Sequence, residues 1–202
     1  ASIGPFWDAN ETWLVLGIGV LLVAFPAAHG VILTSLYLPV TLMLVGLILR
    51  GVSFDFRVKA RAEHKARWNL LFAVGSAIAA LAQGWMLGSY ITGFETSAAA
   101  AGFSALIALG LAAGYVLLGA TWLLMKAEGT LQRRTVQWAQ RALLLTALGI
   151  GSVSIVTPLV SERIFARWFA LPEFVLLLPV PAATLTLLWV AQRSLRRLPT
   201  RF

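Results

Sequence analysis

Apolar residues come in solid blocks along this chain, and polar residues are confined to short stretches between them. Six blocks predict transmembrane helices over about residues 9–25, 31–49, 69–91, 98–125, 138–160 and 174–191. A bilayer crossing takes about 20 helical residues. The strict apolar–polar alternation of a membrane barrel strand is missing. The fold class is therefore all-α: a polytopic transmembrane helical bundle of about six spans, read as one transmembrane domain over 1–202. Pro26 ends the first block, and the "PAAHG" stretch at 26–30 reads as a tight hairpin into the second. Pro158 falls in the last turn of the fifth span, while Pro179 and Pro181 predict a kink in the sixth. Such breaks are tolerated where neighbouring helices satisfy the freed carbonyls.

Composition sharpens the class. Charged residues make up 12% of the chain and hydrophobic ones 59%, against about 25% charged in soluble domains. With no cysteine, thiolate zinc sites, iron–sulfur clusters and disulfide frameworks are excluded. A net charge of +8 would suit nucleic acid in a soluble chain, but here its placement says otherwise. Arg50, Arg57, Lys59, Arg61, Lys65 and Arg67 follow the second span. Lys126, Arg133, Arg134 and Arg141 surround the fourth-to-fifth connection, and Arg193, Arg196, Arg197 and Arg201 end the chain. Six crossings put these fourteen on one side and only Arg163 and Arg167 on the other. The positive-inside rule makes the basic side cytoplasmic, with no role for nucleic acid. The same parity places Asp8, before the first span, and Asp55, after the second, at the cytoplasmic face.

Those two acids are the candidates for chemistry. Asp8 opens "DANE", in which Glu11 follows three residues later. That pattern suits an N-cap with a reciprocal acid, and it equally suits a carboxylate that holds or relays protons at the mouth of a bundle. Asp55 stands between two phenylalanines in "GVSFDFRVKAR". It reads either as a loop acid neutralised by Arg57 or Lys59, or as a partly buried carboxylate that takes up and releases protons, carried by an "FDF" loop that dips onto the bundle. His29 and His64 fall on opposite faces and outside the spans. Met43 and Met86 are isolated in-span thioethers that suit packing. The chain is therefore expected to hold no haem and no metal, since membrane haems take His or Met axial ligands. Gln83, well inside the third span, suits an interhelical hydrogen bond; Glu95 and Glu173 suit loops. The Gly84/Gly88 and Gly110/Gly114 pairs suit close helix packing within the bundle. Trp68, Trp122, Trp138, Trp168 and Trp189 near span ends suit interface anchoring.

Four stretches, in order along the chain, together resemble one family. "FWDANETWLVLG" is similar to the Trp-Asp-Gly-Asn-Glu-Thr-Trp segment of subunit II of the cytochrome bd-type quinol oxidases, with Ala9 where glycine is usual. "GLILRGVSFDFR" resembles that subunit's Arg-Gly-x-x-Phe-(Asp/Glu)-Phe-Arg segment. "YVLLGATWLLMKAEGTLQRR" and "RWFALPEFVLLLPVP" resemble later segments, and the match is nearest the cyanide-insensitive branch. The resemblance implies a haem-free, non-catalytic membrane subunit of a respiratory quinol oxidase. Its partner would be subunit I, which carries haems b and d and handles the quinol, in a bacterial plasma membrane. It also implies a proton path through Asp8 and Asp55, with Trp7, Asn10, Glu11 and Arg57 orienting or tuning them. The family has an earlier span with its own acidic motif and further spans after the sixth, so the resemblance implies an internal portion of a longer subunit. Two readings from other classes stand beside it: a small secondary transporter with a site near Gln83, and a purely structural membrane scaffold.

Overall fold

The computed structural model describes residues 4–160, 162–171 and 173–197. Among them the chain forms nine α-helices and one short 3-10 turn: α1 (Gly4–Ala24), α2 (Pro26–Ser35), α3 (Tyr37–Lys59), the 3-10 turn Ala62–His64, α4 (Lys65–Ile91), α5 (Ala98–Lys126), α6 (Gly129–Val160), α7 (Glu162–Phe169), α8 (Glu173–Leu177) and α9 (Pro179–Arg197). Five segments are long and apolar enough to cross a membrane: Tyr37–Lys59, Ala62–Ile91, Ala98–Lys126, Gly129–Leu159 and Phe174–Arg196. Within α1, Thr12–Ala24 is a shorter apolar helix. The 21 residues of α1 rise about 30 Å, close to the thickness of a hydrocarbon core. The fold is an all-α polytopic membrane bundle.

Helices persist past the ends of the apolar blocks. The second block was expected to end at Leu49 in a basic loop, yet α3 runs on to Lys59. The fifth block was expected to open at Trp138, yet α6 begins at Gly129. Hydropathy reports where lipid is, whereas backbone hydrogen bonding continues wherever propensity allows. The expected "PAAHG" hairpin is also overturned. Those residues are helical and open α2, with Pro26 at its start, where proline's missing N–H costs nothing. A further break falls at Leu36, between α2 and α3. Pro39 lies in the first turn of α3 and offers no N–H to the carbonyl of Ser35, so the ladder is interrupted there while Leu36 N–H still donates to Ile32 O at 2.9 Å. The expected kink in the last span is present as a break at Leu178, with Pro179 opening α9. Pro158 sits inside α6 near its end, as expected.

Six threonines inside the helices satisfy themselves, whereas the buried Thr146 hydroxyl of α6 has no partner among the described residues. The hydroxyls of Thr41, Thr121, Thr135, Thr157, Thr184 and Thr186 each donate to the carbonyl four residues earlier. No polar partner from lipid is then needed.

Three antiparallel contacts build the bundle, each made where glycine lets two backbones touch. A Cβ on Gly46 of α3 would lie 2.7 Å from Gly75 O and 2.8 Å from Ala79 N on α4. One on Gly88 of α4 would lie 2.8 Å from Ser104 Oγ of α5, and one on Gly84 would lie 2.9 Å from Ala108 N. Gly149 of α6 meets Gly110 of α5 the same way, at 2.9 Å from its Cα. The expectation that Gly84, Gly88 and Gly110 serve packing within the bundle holds. Gly114 departs from it, with nothing within 4 Å of its Cβ position. Two apolar clusters fill in around these crossings. Met43, Ala79 and Ala82 take in Leu14 of α1, Leu47 and Met86. Ala120, Ala139, Leu143 and Leu195 bring the end of α9 against α5 and α6. Because neighbouring helices run antiparallel, the end of α3, the start of α4, the end of α5, the start of α6 and the end of α9 share one end of the bundle. The described members of the three basic groups lie near that end.

Candidate functional site at the α3–α4 end

Asp8 falls in the second turn of α1, not before the helix. Since α1 starts at Gly4 and has no acid in its first turn, the N-cap reading of Asp8 fails: a cap precedes the first helical residue. The side chains of Trp7, Asp8, Asn10 and Glu11 lie outside the described residues.

Asp55 is helical too. It stands four residues before the end of α3, so the expected "FDF" loop does not exist. Along α3, Gly46, Arg50, Ser53 and Arg57 recur at near-heptad spacing and form the face turned to α4. The contacts on that face bear this out: Gly46 touches Gly75, Ser53 is 1% exposed and Arg57 bonds Asn69. Asp55 is two residues from both Ser53 and Arg57, and residues two apart on a helix point to opposite sides. It is exposed on the isolated chain, on the outer face that also carries exposed Ile48 and Val52. The expected partial burial of this carboxylate is not found within this chain.

Arg57 does not neutralise Asp55. Its Nε donates to Asn69 Oδ1 at the start of α4. Two aromatic pairs flank that bond: Phe56 stacks on Trp68 with ring centroids 5.4 Å apart, and Phe54 meets Phe72 at 6.4 Å. Together these three contacts tie the end of α3 to the start of α4 and hold Asp55 on the opposite side. The phenylalanines do turn onto the bundle, but they do so from a helix. Sequence reasoning missed Asn69 altogether and read Trp68 only as an interface anchor. The signal available was the antiparallel register itself, which pairs 54 with 72 and 57 with 69 once α3 is known to continue.

Gln83 behaves as expected. Its Oε1 accepts from Tyr115 Oη at 2.8 Å, linking α4 to α5. Tyr115→Phe is expected to lower stability by about 1 kcal/mol, typical of one interhelical hydrogen bond in a membrane, measured by denaturant titration of the detergent-solubilised protein. His29 is on α2, and His64 is in the 3-10 turn at the start of the Ala62–Ile91 segment. Met43 is enclosed by Ala79 and Ala82, with Met86 packed beside it. Among the described residues, no three His, Cys, Asp or Glu side chains gather as a metal site would require.

These features define a class, an all-helical polytopic membrane protein with an acid on the outer face of a tightly clamped helix pair. Over residues 1–202 the chain matches the family model for cytochrome bd terminal oxidase subunit II, and it belongs to that family. It is 41% identical over 78 residues to the cytochrome bd ubiquinol oxidase subunit 2 of Bacillus subtilis, covering 38% of this chain and 23% of that protein. Against the cytochrome bd-I ubiquinol oxidase subunit 2 of Escherichia coli K12 it is 31% identical over 160 residues, covering 72% of this chain and 42% of the relative. A probable cytochrome oxidase subunit 2 of Haemophilus influenzae is 26% identical over 162 residues, 73% of this chain and 43% of its own length. The chain thus spans less than half the length of these curated relatives.

Proposed function

We propose that this chain is part of the haem-free second subunit of a bd-type quinol:oxygen oxidoreductase, supporting subunit I and feeding cytoplasmic protons to oxygen reduction through Asp8 and Asp55. The observation that carries the proton role is the placement of Asp55. An acid on the outer face of a membrane helix, beside exposed Ile48 and Val52, is costly in lipid. It stands about 6 Å, four residues, from the basic end of α3, where the partner subunit or the headgroup layer would receive it. The clamp made by Arg57, Asn69, Phe56 and Trp68 keeps it there. Asp8 enters through α1, which leans by Leu14 on the Met43 cluster of α3 and α4; Trp7, Asn10 and Glu11 would tune it. By the positive-inside rule the basic end is cytoplasmic, in a bacterial plasma membrane.

The haems b and d of such an oxidase do not fit the donors present in this chain. His29 and His64 lie on separate elements at either side of α3, and the Met43 thioether is committed to packing against alanines. We therefore assign haem ligation and quinol oxidation to subunit I and derive no step through either here.

The test uses the full-length parent, purified in mild detergent from its native membrane. A reduced-minus-oxidised visible spectrum is expected to show haem bands that rise in proportion to a co-purifying second subunit. A pure chain with neither haem nor partner would overturn the oxidase reading and favour transport.

A further inference from the structure

One membrane-crossing segment ends at Leu159 and the next begins at Phe174. Between them the chain makes a short helix of its own, α7, which packs between α6 and α8. Since α6 starts at the basic end of the bundle, α7 belongs to the opposite end. Its eight residues, ERIFARWF, are too few to cross a bilayer, and they divide by side. By helical spacing Ile164, Phe165, Trp168 and Phe169 fall within one arc, and Arg163 and Arg167 fall across the helix from it. Phe165 and Phe169 stand one turn apart with ring centroids 4.8 Å from each other. They are 49% and 60% exposed, and Trp168 is 37% exposed, so the described chain covers little of this aromatic side. The segments at both ends of α7 are also apolar and exposed: Ile155 and Leu159 on α6, Leu171 after α7, and Val175 and Leu176 on α8.

An aromatic side and a basic side on one short helix, at the level where two crossings end, match a phospholipid surface. We propose that α7 is an interfacial helix seated on the leaflet opposite the basic end of the bundle, with Phe165, Trp168 and Phe169 sunk into the boundary between headgroups and acyl chains. Helices of this kind carry Trp or Phe on one side and Lys or Arg on the other, and they seat about 5–10 Å into that boundary. Tryptophan favours the same level, because its ring is apolar in body and polar at one edge. The charge pattern agrees. Glu162 and Glu173 bound the stretch, and between them the charged residues are the two arginines, whose register suits lipid phosphates. Lipid is the occupant the neighbours point to, since the exposed apolar residues of α6 and α8 carry the lipid-facing surface up to both ends of α7. This inference rests on the membrane fold alone and stands whether or not the oxidase reading does.

The experiment uses the full-length parent with whatever subunits co-purify, in a background whose other cysteines are replaced; the sequence in hand contributes none. Phe165→Cys, Phe169→Cys and Arg167→Cys are labelled one at a time with a nitroxide and reconstituted into vesicles of phosphatidylcholine and phosphatidylglycerol. Electron paramagnetic resonance then compares collisions with oxygen, which concentrates among acyl chains, and with a water-soluble nickel chelate. Labels at 165 and 169 are expected to favour oxygen, at a depth of about 5–10 Å, and the label at 167 to favour nickel. Nickel collisions at 165 and 169 as frequent as at 167 would place α7 in water and overturn the proposal. Shielding of 165 and 169 from both reagents would mean that protein, a later span or another subunit, covers this side, and would overturn it equally. The two phenylalanine positions are read independently, each in a variant that elutes with its subunits as wild type does, so a misfolded variant at one leaves the other to decide.

Discussion

Gly84→Ala is expected to destabilise the bundle by about 3 kcal/mol, and Gly84→Leu to prevent its assembly. The new Cβ would meet Ala108 Cα and lie 2.9 Å from Ala108 N and 3.0 Å from Ile107 O, all backbone atoms of α5. A flexible side chain can swing aside; a helix backbone cannot, so α4 and α5 must separate. Overfilling a packed interior typically costs about 1–3 kcal/mol, and here the upper end applies. In lipid the loss is not recovered elsewhere, because helix association there depends on close packing rather than on leaving water. Gly114→Ala supplies the contrast. Nothing lies within 4 Å of its Cβ position, so the helix-propensity gain of up to about 1 kcal/mol is free to appear. Denaturant titration of both variants of the full-length parent in one detergent checks the pair. Equal effects would mean that the α4–α5 crossing is not where these helices meet.

The class of fold was legible in the sequence because lipid demands long apolar helices and nothing else in this composition competes with that demand. The details that failed share one cause. Hydropathy marks the edge of the hydrocarbon, so it ends the second block at Leu49, whereas α3 carries its basic end on to Lys59. With α3 stopped at Leu49, Asp55 became a loop residue. Its phenylalanines became a dipping loop, and Arg57 or Lys59 its counter-ion. Continue the helix ten residues and the loop, its dip and the Arg57 pairing change together, since a helix places Asp55 and Arg57 on different sides and leaves Lys59 one turn on from Asp55. The cap at Asp8 failed in the same way, because α1 begins before its apolar block does. Pro39 was passed over because it sits inside a convincing apolar run, although its missing N–H breaks that run into α2 and α3. Gln83, Gly84 and Gly88 were read correctly, for a polar or small residue deep in lipid has few other ways to be satisfied.

The clamp at the α3–α4 end gives the acid prediction its force. Arg57 is held by Asn69 on α4, and α3 carries Asp55 on its opposite face, so the carboxylate is not spent on an internal ion pair with that arginine. If it takes up protons, Asp55→Asn should reduce oxygen consumption of the full-length oxidase by about tenfold or more, since a positioned proton-transfer group is commonly worth about 10²-fold. Haem content and subunit stoichiometry should stay at wild-type levels, because asparagine keeps the shape and the exposed site is not part of the α3–α4 packing. Asp55→Glu should restore most of the turnover. Asp8→Asn is expected to behave alike, and the double variant should fall little below either single one if the two acids act in series. Oxygen-electrode rates normalised to haem decide the matter. Full turnover in both asparagine variants with haem intact would leave this chain as a scaffold. A loss of turnover that tracks a loss of haem, with no rescue by glutamate, would assign the acids to assembly instead of proton uptake.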